Sequence, residues 1–149
     1  KTLIGQFWAL GVLAEVLVFI YMHHMLQKIG AGIVIVISLV LASLRWLMIG
    51  WFPESLMILL IAQVLHAASF GTFHAAAIHM VHRAFKGRHQ GRGQAIYASV
   101  SFGMGGSIGS LGAGNLWETA GPQWTFTLSA AVAGIAAIIA RKWHDKQFD

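Results

Sequence analysis

Residues 59–80 read LLIAQVLHAASFGTFHAAAIHM, and how this stretch is read decides the fold. It is oily and long enough to cross a bilayer as a helix, yet it holds His66, His74 and His79. A lipid-facing helix has no use for imidazoles. An ionisable group at mid-bilayer costs about 2.5–3.5 kcal/mol on insertion scales, so it normally faces the protein interior and has a partner there. The stretch therefore predicts a membrane helix with one polar, inward face.

The rest of the chain is of the same kind. Of 149 residues, 57% are hydrophobic and 10% charged. An ordinary soluble domain has about 45–50% apolar and ~25% charged residues. Charge this sparse cannot wet the surface of a globule. Windows of the roughly 20 apolar residues a span requires fall at 3–22, 29–50, 55–80, 94–116 and 123–140. Period-two alternation is absent, and runs such as IVIVISLVLASL are apolar on every face, so helices are expected rather than the strands of a barrel. The expectation is an all-α membrane protein of about five transmembrane helices. With no cysteine there is neither a disulfide nor a thiolate metal site.

A formal net charge of +5 suggests nucleic acid until the charges are placed. Lys28 lies between spans one and two, Arg83, Lys86, Arg88 and Arg92 between three and four, and Arg141, Lys142 and Lys146 after five. The opposite loops, GWFPES and WETAGPQ, carry no Lys or Arg. This is the positive-inside pattern, with the basic face and the C-terminus cytoplasmic, and no nucleic-acid partner is expected. Pro53 and Pro122 fall at span starts, where a missing amide hydrogen costs nothing. Span four crowds Gly103, Gly105, Gly106, Gly109, Gly112 and Gly114 together, which predicts a helix that packs closely and bends. Span five, without an ionisable group, reads as a peripheral support.

Glu15 in span one, Arg45 in span two and His66 in span three stand out from this apolar background. By helical rise, Glu15 lies roughly 18 Å and His66 roughly 15 Å below the outer ends of their spans, with Arg45 about 8 Å in. The long Arg45 side chain can reach inward from there. At 100° per residue, Gln63, His66, Phe70, Phe73, His74 and Ala77 share one arc of span three, while Trp8, Gly11, Glu15 and Phe19 share one of span one. Such faces could line a cavity for a flat, apolar-bodied solute with a polar group, contacted by Trp8, Phe19, Gln63, Phe70, Phe73 and His74. The bland alternatives are a Glu15–Arg45 pair that only holds helices together, a hydrogen-bonded packing role for His66, and aromatics that are merely core.

The stretches FWALGVLAEVLVF, SLRWLMIG, AQVLHAASFGTFHAA and GQAIYASVSFGMGGSIGSLGAGNLW resemble, in order, helices eight to eleven of a major facilitator superfamily transporter, with WTFTLSAAVAGIAAII as helix twelve. Within that superfamily the chain is similar to the phenylpropionate permease group, itself related to the lactose and nucleoside proton symporters. The resemblance implies a twelve-helix protein of the bacterial inner membrane in two bundles around a central cavity. The first seven helices are missing here, and this part alone would not transport. It also implies that Glu15, Arg45 and His66 match a proton-coupling network. The lactose type has a Glu one turn after the His, where Ser69 stands here.

The expected function is that of a non-enzymatic, proton-coupled importer of a small organic solute such as an aromatic carboxylate, with no cofactor or metal. Its partners are the solute, protons, the lipid bilayer and the missing N-terminal helices. A nucleoside or sugar symporter is the nearest alternative. A histidine-box membrane oxygenase and a non-transporting assembly module are the rivals from other classes. HHMLQ and HMVHR are too sparse for the former.

Overall fold

The computed structural model describes the backbone of residues 2–148 and the side chains of residues 5 and 9–144. Its helices are α1 (Thr2–Trp51), α2 (Leu56–His66), α3 (Thr72–Ala84), α4 (Gln90–Ala98), α5 (Gly106–Ala120) and α6 (Pro122–Phe148). No strand occurs among the described residues. The π-helical segments Ala67–Gly71 and Ser99–Gly105 join α2 to α3 and α4 to α5 without a loop.

α1 is two helices in succession. Gly30 interrupts it with φ 78° and ψ 153°, a backbone conformation that glycine enters without a Cβ penalty. Side chains show that the chain doubles back there. Met22 and Val34 share one buried cluster with Ala76, and Glu15 and Arg45 both reach His66. A straight helix would hold Glu15 and Arg45 about 45 Å apart. The limbs 2–29 and 31–51 are therefore antiparallel, and Gly30 stands midway between the two charged residues. The helix runs on through the expected gap after residue 22. HHMLQKI offers no breaker before Gly30, and a His23–Gln27 side-chain bond of 2.8 Å spans one of its turns.

Limb 31–51 is the centre of the bundle. On one side Ser38 bonds Thr72 at 2.5 Å. On the other, Ser43 donates to the Ala130 carbonyl at 2.8 Å, and Trp46 stacks on Phe126 with ring centres 5.6 Å apart. α6 runs antiparallel to this limb, since Trp51 meets Thr127 at one end and Gly32 lies against His144 at the other. Span five is thus a main packing partner, in more extensive contact with α1 than any other element. Gly121, at φ 87°, ends α5, and Pro122 opens α6.

The packing is that of a protein in lipid. Buried positions hold small residues, among them Ala62, Ala67, Ala76, Ala130, Ser38, Ser69 and Thr72, while Leu13, Ile20, Met57, Ile108 and Leu111 are exposed. Helices that associate without a hydrophobic drive between them need such small faces. Their hydroxyls bond carbonyls of their own helix, as Ser38 does with Val34 at 2.7 Å and Ser69 with Leu65 at 2.7 Å. Among the described residues, three runs are long and apolar enough to span a membrane: Ala9–Trp51, Leu56–Ala84 and Pro122–His144. The first, folded at Gly30, supplies two limbs. The glycine- and serine-rich rod 90–120 is not among the three.

Close approach at Gly50 fixes how limb 31–51 crosses α6. A Cβ there would lie 2.7 Å from the Phe126 Cβ and 3.4 Å from the Gln123 carbonyl oxygen. Neither atom can swing away. Gly50→Ala is expected to destabilise the protein by about 1–3 kcal/mol through overpacking, read as a lower Tm of the detergent-purified protein. An unchanged Tm would show that the two helices are free to separate there.

The glycines of span four behave differently. A Cβ at Gly103, Gly106, Gly109, Gly112 or Gly114 would meet no atom within 4 Å. Close packing, as expected from the sequence, is not found against any described element. Residues 98–112 are exposed throughout.

Candidate functional site

Three helices converge at His66. Nδ1 of His66 accepts a hydrogen bond from Nη1 of Arg45 at 3.0 Å, and its Nε2 lies 3.6 Å from Oε1 of Glu15. A neutral imidazole that accepts at Nδ1 carries its proton on Nε2, so the N–H faces the carboxylate. His66 is the link between the charges, and no direct Glu15–Arg45 ion pair occurs among the described residues. The guanidinium carbon of Arg45 also sits 4.0 Å from the Trp46 ring centre, and its buried Nε has no hydrogen-bond partner. A charged, buried donor without an acceptor is costly.

The fold explains the convergence. Glu15 and Arg45 are equally far along the two limbs from Gly30, so they meet the rod 56–84 at one height. Limb 2–29 packs over Gly71, where the Phe19 Cζ and Glu15 Cγ lie 3.8 and 4.0 Å from a Cβ position, in ordinary van der Waals contact. Ser38–Thr72 pins the other limb just beyond the π turn.

From His66 a column of rings runs along the same rod. The Phe70 ring lies 5.4 Å from His66 at 9° between planes, and His74 lies 6.3 Å from Phe70 at 7°. Residues four apart on an α-helix drift by about 40° per step. The wider i→i+5 turn at Ala67–Gly71 rotates less per residue and cancels the drift, which lines the rings up. At the far end His74 meets Tyr97 and Phe102, each 5.9 Å away, and the Tyr97 hydroxyl lies 3.4 Å from its Nδ1. Beyond it, His82 bonds Gln94 at 2.5 Å, while His79 is exposed.

Of the residues expected at the site, Glu15, Arg45 and His66 are brought together, Phe70 and His74 form the column, and Phe19 lies over Gly71 with 47% of its surface exposed. Gln63 and Phe73 are half-buried on the same rod and stand outside the ring column. The Trp8 side chain lies outside the described residues. Tyr97 and Phe102 are additional members. The basic end of the chain is one end of the bundle: Gly30, the His82–Gln94 bond and the Gly32–His144 contact all lie there. The opposite end holds a cavity of about 710 Å³ lined by Trp51, Phe52, Trp117, Phe126 and Glu54. A second, apolar cavity of about 280 Å³ lies between the limbs beside Thr72. Neither is lined by the trio, which belongs to an open face where Phe70 and Phe102 are also exposed. No group of three or more metal-ligating side chains occurs among the described residues.

A family model described as the MFS_1 like family matches residues 1–128. The chain belongs to this family. The family is one of transporters, and the long apolar runs of the chain are those of a multi-pass membrane protein. Over 132 residues this MFS_1 like chain is 33% identical to a probable 3-phenylpropionic acid transporter of Escherichia coli strain K12, an alignment covering 87% of the chain and 34% of that protein. The chain thus spans about a third of the length of the curated relative it matches. No solved structure matches it.

Proposed function

We propose that the chain is the C-terminal membrane bundle of a proton-coupled symporter that imports an aromatic carboxylate, with 3-phenylpropionate the model solute. The convergence of Glu15, His66 and Arg45 carries the proposal. An anionic solute needs a fixed cation, and the Arg45 guanidinium beside His66 offers one. A proton needs a titratable group coupled to that cation. Glu15 and His66 are such groups, because a protonated imidazole can no longer accept from Arg45 and turns wholly toward the carboxylate. Protonation therefore frees the guanidinium for the solute. Phe70 and Phe19 present apolar surface for the ring beside it.

Further helices of the same protein close the open face into a cavity. In this reading the basic end of the bundle and the C-terminus are cytoplasmic, in keeping with the positive-inside rule, and the membrane is the bacterial inner membrane. The test is uptake of labelled 3-phenylpropionate into proteoliposomes of the complete transporter, with protein-free vesicles as the baseline. An outside-acid pH gradient is expected to drive accumulation that a protonophore abolishes. Nucleosides and galactosides are expected not to compete. Equal uptake with and without the gradient would rule out proton coupling, and competition by nucleosides would reassign the solute.

A further inference from the structure

His74 is not explained by packing. It is ringed by Phe70, Tyr97 and Phe102, a setting that Leu or Phe would fill without burying a polar ring. Its one hydrogen-bond partner among the described residues is the Tyr97 hydroxyl, and at 3.4 Å that bond is long for O–H···N. Both groups have hydrogen-bonding capacity to spare. They come from different helices, α3 and α4, and so form a polar spot between two rods at the end of an aromatic column.

The column's spacing says what that spot could meet. With C–C bonds of about 1.5 Å, an extended arylpropionate holds its carboxyl carbon about 5 Å from its ring centre. The His66–Phe70 step is 5.4 Å. A carboxylate at Arg45 and His66 therefore lays the solute ring beside the exposed Phe70. From a ring centre, a phenolic oxygen and its hydrogen bond reach about 6 Å further. The Phe70–His74 step is 6.3 Å.

We propose that His74 and Tyr97 form a subsite for a hydroxyl group on the solute's ring, so that the transporter takes hydroxylated arylpropionates in preference to the bare or halogenated ring. The proposal rests on the aryl-carboxylate reading above and adds its specificity. A site made to hydrogen-bond a hydroxyl penalises a ligand without one, because its own polar groups are left unpaired. In the tautomer whose Nδ1 accepts from the Tyr97 hydroxyl, the Nε2–H of His74 is left to donate to the incoming oxygen.

Counterflow of labelled 3-phenylpropionate in proteoliposomes of the complete transporter, with unlabelled competitors, provides the test. 3-(4-Hydroxyphenyl)propionate is expected to compete about fivefold to tenfold better than the 4-fluoro analogue, the worth of one good neutral hydrogen bond. His74→Phe keeps the ring column and is expected to bring that ratio to about one, whatever its absolute affinity. Tyr97→Phe, the milder change and the test if His74→Phe does not fold, is expected to lower the ratio severalfold. A wild-type ratio near one, or a ratio untouched in either folded variant, overturns the proposal while leaving phenylpropionate transport intact. Wild-type protein that shows no counterflow of 3-phenylpropionate overturns the aryl-carboxylate reading, and this subsite with it.

Discussion

Glu15→Gln is expected to abolish gradient-driven uptake while leaving solute exchange running. The amide keeps the size of the side chain and an oxygen facing His66 Nε2, 3.6 Å away, so the helices have no reason to move. What is lost is the carboxylate charge toward which a protonated His66 turns. A gradient of one pH unit stores about 1.4 kcal/mol, enough for one proton to sustain roughly tenfold accumulation of one solute. In the Glu15→Gln variant that ratio is expected to fall to one, with counterflow within severalfold of wild type. Accumulation that survived the substitution would show that protons travel by another group. Loss of both activities would point instead to a structural pair, as in an assembly module whose buried charges only join helices.

The second large effect is expected at Arg45. Arg45→Gln removes the fixed cation, leaves Nδ1 of His66 without its donor and strands Glu15 beside a lone imidazole. Truncating one partner of a buried, hydrogen-bonded charge pair costs about 2–5 kcal/mol, so solute affinity should fall at least about thirtyfold. Arg45→Lys separates charge from geometry. An ammonium keeps the sign but not the planar fork that serves His66 with one nitrogen and leaves another for a carboxylate. It is expected to bind with intermediate affinity. Calorimetric titration of the detergent-purified complete transporter with 3-phenylpropionate gives both numbers. Were Arg45 only an outer anchor resting on Trp46, neither substitution would change binding, and an unchanged Kd would establish that role.

The three charged residues are legible in the sequence because lipid leaves so few reasons for an acid, a base and an imidazole to sit in apolar runs. The helical class is legible too, since runs apolar on every face admit little else. The mutual arrangement of the trio is less accessible. Counting rise per residue sets Arg45 nearer the outer face than Glu15 and allows the two to pair directly. The structure inserts His66 between them. Depth from counting depends on knowing where each span ends, and a helix that continues to Gly30 shifts that origin.

The ring column is half visible in the sequence. Phe70 and His74 follow from helical spacing, but their alignment depends on the π turn at Ala67–Gly71, which propensities do not encode. Tyr97 and Phe102 escape such a reading because they lie on a rod whose register against α3 is a tertiary fact. The cluster of aromatic and polar residues in YASVSF is the available signal. The glycines of span four look like signs of close contact. Among the described residues all but Gly105, which faces the Val100 carbonyl of its own rod, meet nothing, because a small surface says how near a neighbour can come and not which element that neighbour belongs to.

The hairpin at Gly30 has no slack. A looped connection can swallow an insertion, but here helix runs into helix through a single residue. One residue added between Glu15 and Gly30 would swing the carboxylate by about 100° around its axis and lift it about 1.5 Å. Length on either side of that glycine is therefore frozen more tightly than residue identity. Indels are the changes this segment tolerates least.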